Sequence, residues 1–232
     1  MEDYTGSPEL YLFLASTMHD MKDSVSLVSG TLEAMLAASP DLASPQLAHM
    51  LYQTKRLNDN LIQLLALYKR VGKPGYPFDS RPQQISELVA QVVAQEKTLL
   101  DARSITFETT FPPDLIWSFD EDLIIGVLGH VINNASRYTR GIIRLSIAQF
   151  GDYLELRIED NGQGFPPALL MAGAAAMHGL RAGVNFSTNS TGLGLYFSFQ
   201  VALMHKHRER SGSITLENGG ALGGGCFILR LP

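Results

Sequence analysis

The first 70 residues carry two runs of mostly apolar side chains at heptad spacing. The gaps alternate between four and three residues, which predicts two helices with one apolar seam each. Ser-Pro pairs at Ser39 and Ser44 separate the runs, so we expect an antiparallel hairpin. The seam positions are Leu14, Met18, Met21, Val25, Val28, Leu32 and Met35, then Leu47, Met50, Thr54, Leu57, Leu61, Leu64 and Tyr68.

A single two-helix hairpin buries its seam poorly, whereas two hairpins close a four-helix bundle. We therefore predict that residues 1–73 form a homodimerising helical hairpin. The alternative is that both helices pack on the rest of the same chain, but the regular seam favours the dimer. Two Pro and two Gly between Gly72 and Pro77 indicate a linker, which we place at residues 74–82.

Residues 83–232 have a mixed pattern that predicts an α/β sandwich, with helices on one face of a mixed sheet. We expect Leu115–Phe119 to pair with Ile105–Phe111, and Gly151-Asp152 to form a hairpin turn. His205 to Arg208 reads as the basic end of the last helix. The predicted helices are Gln84–Leu100, Asp120–Tyr138 and Gly192–Lys206, and the predicted strands are Ile105–Phe111, Leu115–Phe119, Ile142–Phe150, Tyr153–Glu159, Ser213–Glu217 and Cys226–Leu231.

Composition narrows the class of protein. The 232 residues are 45% hydrophobic and carry a net charge of −5, which is typical of a globular protein and unfavourable for non-specific nucleic-acid binding. The single cysteine, Cys226, excludes an internal disulfide and fits a reducing compartment. The N-terminus lacks a signal-peptide pattern, and the longest nearly apolar run, Leu123–Ile132, is too short to span a bilayer. We expect a cytoplasmic location and no membrane insertion.

One candidate site lies in the second predicted helix of this domain. Asn133 and Asn134 interrupt an apolar stretch, and a buried amide is costly unless it is hydrogen-bonded or bound to a ligand. His130 lies four residues before Asn134 and so shares its face. An Asn oxygen can coordinate Mg²⁺. The alternative is an amide that caps a neighbouring loop.

Two glycine-containing segments are the other candidates. Asp160 ends a strand and precedes Gly162 and Gly164, so its carboxylate can accept a hydrogen bond from an amino group such as that of adenine; the alternative is an ordinary Asn-Gly turn. The run Thr191-Gly192-Leu193-Gly194 enters a helix, where free N–H groups favour an anion. Neither the Rossmann nor the Walker spacing is present.

Taken in this order, the three segments resemble the N, G1 and G2 boxes of the GHKL (Bergerat) ATP-binding fold. Histidine kinases, Hsp90-type chaperones and type II topoisomerases share that fold. The run from Asn134 through Arg137-Tyr138-Thr139 resembles the histidine-kinase N box, and the terminal Leu231-Pro232 resembles that family's last strand. Phe165–Ser190 falls where the family has its ATP lid, without a clear phenylalanine-rich box.

The resemblance extends to the first predicted helix. The run His19-Asp20-Met21-Lys22-Asp23 resembles an H box, although an isolated histidine here would be taken for a solvated surface residue. The family then implies that His19 is the phosphoacceptor and Asp20 its general base, with Lys22 and Asp23 completing the motif. A carboxylate at Asp23, where Thr or Asn is usual, leads us to expect weak phosphatase activity.

The resemblance also implies a mechanism. Asp160 binds adenine with Tyr138 near the base, Asn134 holds Mg²⁺, and Arg137 and the backbone of Gly192 and Gly194 neutralise the phosphates. His130 stands where the family often has Asn, and we assign it to the phosphates. ATP then phosphorylates His19, and a response regulator receives the phosphoryl group. The input is expected from a separate sensor or receptor protein, or from a region beyond this chain.

Two other functions remain open from the sequence. One is a catalytically inactive phosphotransfer or scaffold protein that keeps the fold, which the irregular lid segment favours and the intact Asn134 and Asp160 disfavour. The other is a GHKL protein-serine kinase or chaperone-like ATPase, which His19 on its helix disfavours. We expect no nucleic-acid partner for either of these functions.

Overall fold

The computed structural model describes residues 78–167, 169–170 and 193–232, together with residues 21, 24–32, 34–35, 47, 50, 53, 54, 57 and 61. The chain divides into two compact units, Met1–Pro77 and Phe78–Pro232. Within the described residues, no helix is both long and apolar enough to cross a membrane.

Every described residue of the first unit is helical. The hydroxyl groups of Thr31 and Thr54 each donate to the carbonyl four residues earlier, at 2.8 Å, as helical geometry allows. Leu32 is buried, and Val25, Leu47 and Leu61 are partly buried. Five other apolar seam side chains are about half exposed, at 49–54%: Met21, Val28, Met35, Met50 and Leu57. Four of the fourteen seam positions lie outside the described residues: Leu14, Met18, Leu64 and Tyr68.

The second unit contains nine strands and three helices within its described residues. They are β1 (Arg81–Gln84), α1 (Ile85–Ala102), β2 (Thr106–Thr110), β3 (Ile116–Phe119), α2 (Glu121–Tyr138), β4 (Ile142–Phe150), β5 (Tyr153–Asp160), α3 (Leu193–Met204), β6 (Lys206–His207), β7 (Arg210–Ser211), β8 (Ser213–Asn218) and β9 (Gly225–Leu231). Each helix predicted for this domain is present, with ends shifted by at most a few residues. β1 begins at Arg81, inside the segment predicted as a linker.

The main sheet has five strands in the order β2-β4-β5-β9-β8. β2 and β4 run parallel, and every other neighbouring pair is antiparallel, so the predicted mixed sheet is confirmed. The β4–β5 hairpin turns at Gly151, whose φ of +60° suits glycine. Along β4 the buried Ile143, Leu145 and Ile147 alternate with partly exposed residues, so one face of this strand belongs to the core.

The predicted pairing of Leu115–Phe119 with Ile105–Phe111 is wrong. β3 pairs antiparallel with β1, Gln83 opposite Trp117, in a separate two-stranded sheet, while β2 pairs with β4. The sequence does not predict β1, because its four residues are polar or proline and show no apolar alternation. Trp117 Nε1 also donates to the carbonyl of Pro232 at 3.3 Å, which ties β3 to the end of the chain.

The predicted basic helix end at His205 to Arg208 is also wrong. α3 ends at Met204, and β6 and β7 form a small hairpin around Arg208, whose φ is +55°. His205 is buried, where Nδ1 lies 2.7 Å from the carbonyl of Val201 and Nε2 accepts the N–H of Asp120 at 3.1 Å. Burial lowers the pKa of His205 below its usual value, so the ring is a neutral connector between α3 and the start of α2.

Candidate functional site

The end of α2, the end of β5 and the start of α3 meet at one place in the second unit. A Cβ atom at Gly162 would overlap the carbonyl of Tyr138, and one at Gly194 would overlap the ring of His130. Only glycine permits either approach. The described residues of the three predicted segments are therefore neighbours in space, as a single site requires.

The placement of α2 sets which of its side chains line this site. Asp120 caps the helix by accepting the N–H of Leu123 at 3.1 Å. The apolar stripe that includes Leu128, Val131 and Ile132 is buried in the core. His130 and Asn134 are only partly buried, one turn apart at the rim of this stripe.

His130 and Asn134 contact each other directly. Asn134 Nδ2 lies 2.7 Å from His130 Nε2, and because an amide nitrogen carries only hydrogens, Nε2 is the acceptor. Burial, with a smaller contribution from Arg137, lowers the pKa of His130 to about 4, which keeps the ring neutral at physiological pH. The Asn134 amide is thus bonded within its own helix, and this contact does not support the alternative that it caps a neighbouring loop.

The Asn134 amide leaves one oxygen available to a cation. Its side chain makes no other hydrogen bond to the part of the chain that the structure describes, so Oδ1 faces away from His130 without a partner there. An uncharged oxygen of this kind suits Mg²⁺. The described ranges contain no group of three or more His, Cys, Asp or Glu that could hold a metal.

At the end of β5, one oxygen of the Asp160 carboxylate is hydrogen-bonded and the other is available. The side chain is buried at 8% exposure, and Oδ1 accepts the N–H of Gly162 at 2.6 Å. The backbones of Gly224 and Gly225 lie so close that a Cβ there would come within 3 Å of its oxygens. No other hydrogen bond to the Asp160 carboxylate is present within the described residues, so Oδ2 is available to a donor from a ligand.

Gly164 lies in a turn that contacts Asn218, and the sequence does not predict this contact. Its φ is +78°, and a Cβ there would overlap the side chain of Asn218. Asn218 accepts the N–H of Phe165 at 2.7 Å and donates to the carbonyl of Phe165 at 2.8 Å. This pair of hydrogen bonds attaches the start of the predicted lid segment to the end of β8.

Asn161 also positions part of the site, and the sequence motifs do not predict this role. Its Oδ1 accepts the N–H groups of Arg140 and Ile142, at 2.9 and 3.2 Å, and lies 2.7 Å from the Thr139 hydroxyl. These bonds fix the loop after α2 against the end of β5. The Asn-Gly turn therefore has a structural function beside the candidate role of Asp160.

The other predicted site residues fall into two groups. Arg137 and Tyr138 lie in the last turn of α2 and are exposed, Tyr138 at 60%. Lid positions 171–190 lie outside the described residues. The same is true of the predicted site residues His19, Asp20, Lys22, Asp23, Thr191 and Gly192, and of the side chain of Leu193.

Comparison with known proteins gives one family match. The family described as histidine kinase-, DNA gyrase B-, and HSP90-like ATPase matches residues 119–232. The match includes α2, β5 and α3, which form the candidate site.

Curated relatives and solved structures extend this likeness. The sensor protein SrrB of Staphylococcus aureus is 28% identical over 226 residues, which cover 95% of this chain and 37% of SrrB. The fold resembles full-length ShkA in complex with AMPPNP, with a TM-score of 0.58 at 19% identity over 98% of this chain and 46% of ShkA. The histidine kinase AdeS of Acinetobacter baumannii gives 0.56 at 18% identity, over 87% of this chain and 93% of AdeS. The chain thus spans only about 37% of the length of its curated relative.

Proposed function

We propose that this chain is an ATP-dependent protein-histidine kinase. The premise is that residues 119–232 belong to the histidine kinase-, DNA gyrase B-, and HSP90-like ATPase family and that the chain is homologous to sensor histidine kinases. The observation that carries the proposal is the buried carboxylate of Asp160, of which only Oδ1 has a hydrogen-bond partner within the described residues. The same site contains the His130–Asn134 pair. A buried carboxylate oxygen without a partner is costly unless a ligand donates to it.

The proposal gives each described side chain of the site a part in nucleotide binding. Oδ2 of Asp160 accepts the amino group of adenine, and Tyr138, exposed at the end of α2, stacks near the base. Arg137 and the first turn of α3, with Gly192 and Gly194, neutralise the phosphates. The structure of AMPPNP-bound ShkA supports a nucleotide in a domain of this fold.

Asn134 is the residue that would hold Mg²⁺. Its Oδ1 is the right kind of ligand, and the other ligands would be phosphate oxygens and water. The ion, when bound, neutralises phosphate charge during phosphoryl transfer. The protein's own contribution is to orient Oδ1, through the bond from Nδ2 to His130.

The proposed acceptor is His19 in the first unit. A neutral imidazole nitrogen attacks the γ-phosphorus of ATP, ADP leaves, and Asp20 acts as the general base that holds the ring and takes up its proton. Lys22 completes the motif as a positive charge close to the reacting phosphoryl group. The assignment of these roles depends on the H-box resemblance, since these three residues lie outside the described part of the chain.

We further propose that residues 1–73 form a four-helix bundle in a homodimer, joined by a linker at 74–82 to the ATP-binding domain at 83–232. The half-exposed seam side chains, such as Met21, Val28 and Leu57, support a second copy as their cover. The phosphoryl group then passes to an aspartate of a response regulator. A separate sensor or receptor protein would supply the signal, and the reaction would take place in the cytoplasm, where ATP is available.

The test is phosphorylation of the purified protein by Mg²⁺ and γ-labelled ATP, beside Asn134→Ala and His19→Gln. We expect an acid-labile label in the wild type and none in either variant. Binding of ATP without any label would indicate the inactive scaffold, and acid-stable label would indicate a serine kinase. Absence of ATP binding would overturn the proposed nucleotide site itself.

A further inference from the structure

Two of the contacts that His130 makes join separate parts of the site. Its Nε2 accepts the hydrogen bond from Asn134 at 2.7 Å. Its ring also lies so close to Gly194 that a single added methyl group would overlap it. One side chain therefore touches both the Mg²⁺ ligand of the proposed mechanism and the first turn of α3.

The contact with Asn134 determines which atom of the amide is available. The amide is planar, so fixing Nδ2 on the imidazole turns Oδ1 away from the ring. Without an acceptor at position 130, the amide can rotate and present nitrogen in place of oxygen. A ligand nitrogen that bears hydrogens cannot coordinate a cation.

The same contact argues against a direct role of His130 on the metal. The lone pair of Nε2 is directed at Asn134, and Mg²⁺ prefers oxygen to nitrogen ligands. The Nε2 edge of the ring lies against Gly194 and instead sets the distance between α2 and the start of α3. His130 therefore acts through its neighbours.

We propose that His130 is a positioning residue which orients Asn134 Oδ1 toward the cation and seats the phosphate-binding start of α3 against α2. The proposal rests on the proposed nucleotide site and deepens it. It replaces the sequence-based assignment of His130 to the phosphates, and it explains Gly194 as a packing requirement in addition to any contact of its N–H with an anion.

Two substitutions separate the two contacts. His130→Phe keeps a flat ring against Gly194 but has no acceptor for Asn134. His130→Asn offers an acceptor oxygen four residues before Asn134 but loses the ring. The measurement is the dissociation constant of a fluorescent ATP analogue, mant-ATP, in the full-length protein, once with excess Mg²⁺ and once in EDTA.

For His130→Phe we expect unchanged binding in EDTA and loss of about tenfold in the affinity gained from Mg²⁺, the size typical of groups that orient a metal ligand. For His130→Asn we expect the Mg²⁺ gain to persist while binding weakens in both conditions. Replacing the exposed His207 by Phe, as a matched control, leaves both constants unchanged.

A double-variant cycle with Asn134→Ala tests whether His130 acts through Asn134. In the Asn134→Ala background, His130→Phe should no longer alter the Mg²⁺ gain, because the amide that it orients is absent. An undiminished Mg²⁺ gain in His130→Phe, or an equal effect in both backgrounds, would overturn the proposal while leaving the nucleotide site intact. A wild-type protein that does not bind mant-ATP would overturn the proposed function, and this inference with it.

Discussion

The two oxygens of Asp160 have different partners. Oδ1 accepts the N–H of Gly162 and holds the turn after β5, whereas Oδ2 is available to a ligand. Asn at this position can still accept the Gly162 N–H through its own Oδ1, but it presents an NH₂ group where Oδ2 was. The substitution therefore removes the ligand contact and keeps the structural one.

We expect Asp160→Asn to weaken ATP binding by about 10- to 100-fold, the range for a hydrogen bond to a charged group. The variant should also gain affinity for inosine triphosphate relative to ATP, because the amide can donate to the oxo group of hypoxanthine. Calorimetric titration with both nucleotides measures the ratio. An unchanged ratio would mean that Asp160 does not contact the purine edge.

Gly194 is predicted to tolerate no side chain because of His130. The overlap of a Cβ at Gly194 with the imidazole ring forces one of them to move, so we expect Gly194→Ala to destabilise the second unit by about 1–3 kcal/mol. Gly129→Ala is the control, since among the described residues only the end of the Glu96 side chain lies near that site, at 3.3 Å. Adding His130→Ala should recover most of the loss.

This stability can be measured in the full chain. Trp117 is the only tryptophan, and it lies in β3 of the second unit, so its fluorescence during denaturant unfolding reports on that unit. Equal losses for Gly194→Ala and Gly129→Ala would contradict the packing argument.

His205 connects two helices and the entry to the second unit. Its ring bonds Val201 near the end of α3 and Asp120 at the start of α2, and the Asp120 carboxylate also accepts the N–H of Asp79 at 3.1 Å. Phe78 meets the ring edge-on at 4.9 Å between centroids. A neutral imidazole is required for this arrangement, because Nε2 must accept a hydrogen bond.

The buried neutral state of His205 makes the second unit less stable in acid. Burial holds the pKa below the unfolded value of about 6.5, so below that pH the unfolded chain binds a proton that the folded chain does not. The free energy of unfolding should then fall by up to about 1.4 kcal/mol per pH unit from this group. His130 adds to the slope in the same direction, since its pKa is lowered to about 4.

We expect His205→Gln to reduce this pH dependence between pH 6.5 and 5, measured by Trp117 fluorescence, whereas His207→Gln does not. Parallel curves for the wild type and His205→Gln would show that His205 does not titrate on unfolding.

The elements that the sequence predicts well are those with long apolar periodicity. α1 and α2 each follow one buried stripe, and β4 and β5 alternate on either side of Gly151. The elements that it missed are short and polar. β1, β6 and β7 have two to four residues, and their pairing depends on partners distant in sequence or on a positive φ at Arg208.

The same distinction applies to the site. The resemblance of three motifs, in this order, to the GHKL boxes predicts that Asn134, Asp160 and Gly194 line one site. The structure places their segments side by side, with Gly162 against Tyr138 and Gly194 against His130. The residues that hold the site, Asn161 and Asn218, were missed because their hydrogen bonds reach loops about 20 and 53 residues away. Such contacts leave no local pattern.

At the scale of the whole molecule, the proposed kinase activity requires the second unit to phosphorylate a histidine of the first unit. That unit contains two histidines, His19 and His49, of which only His19 follows the H-box pattern. His49→Gln is therefore a matched control for His19→Gln.

The most direct measurement is the position of the phosphoryl group, mapped by mass spectrometry at alkaline pH after incubation with Mg²⁺ and ATP, since phosphohistidine is lost in acid. We expect phosphohistidine at His19 in the wild type and in His49→Gln, and no modified peptide in His19→Gln. Modification at His49 or at a serine, with an unmodified His19, would contradict this expectation.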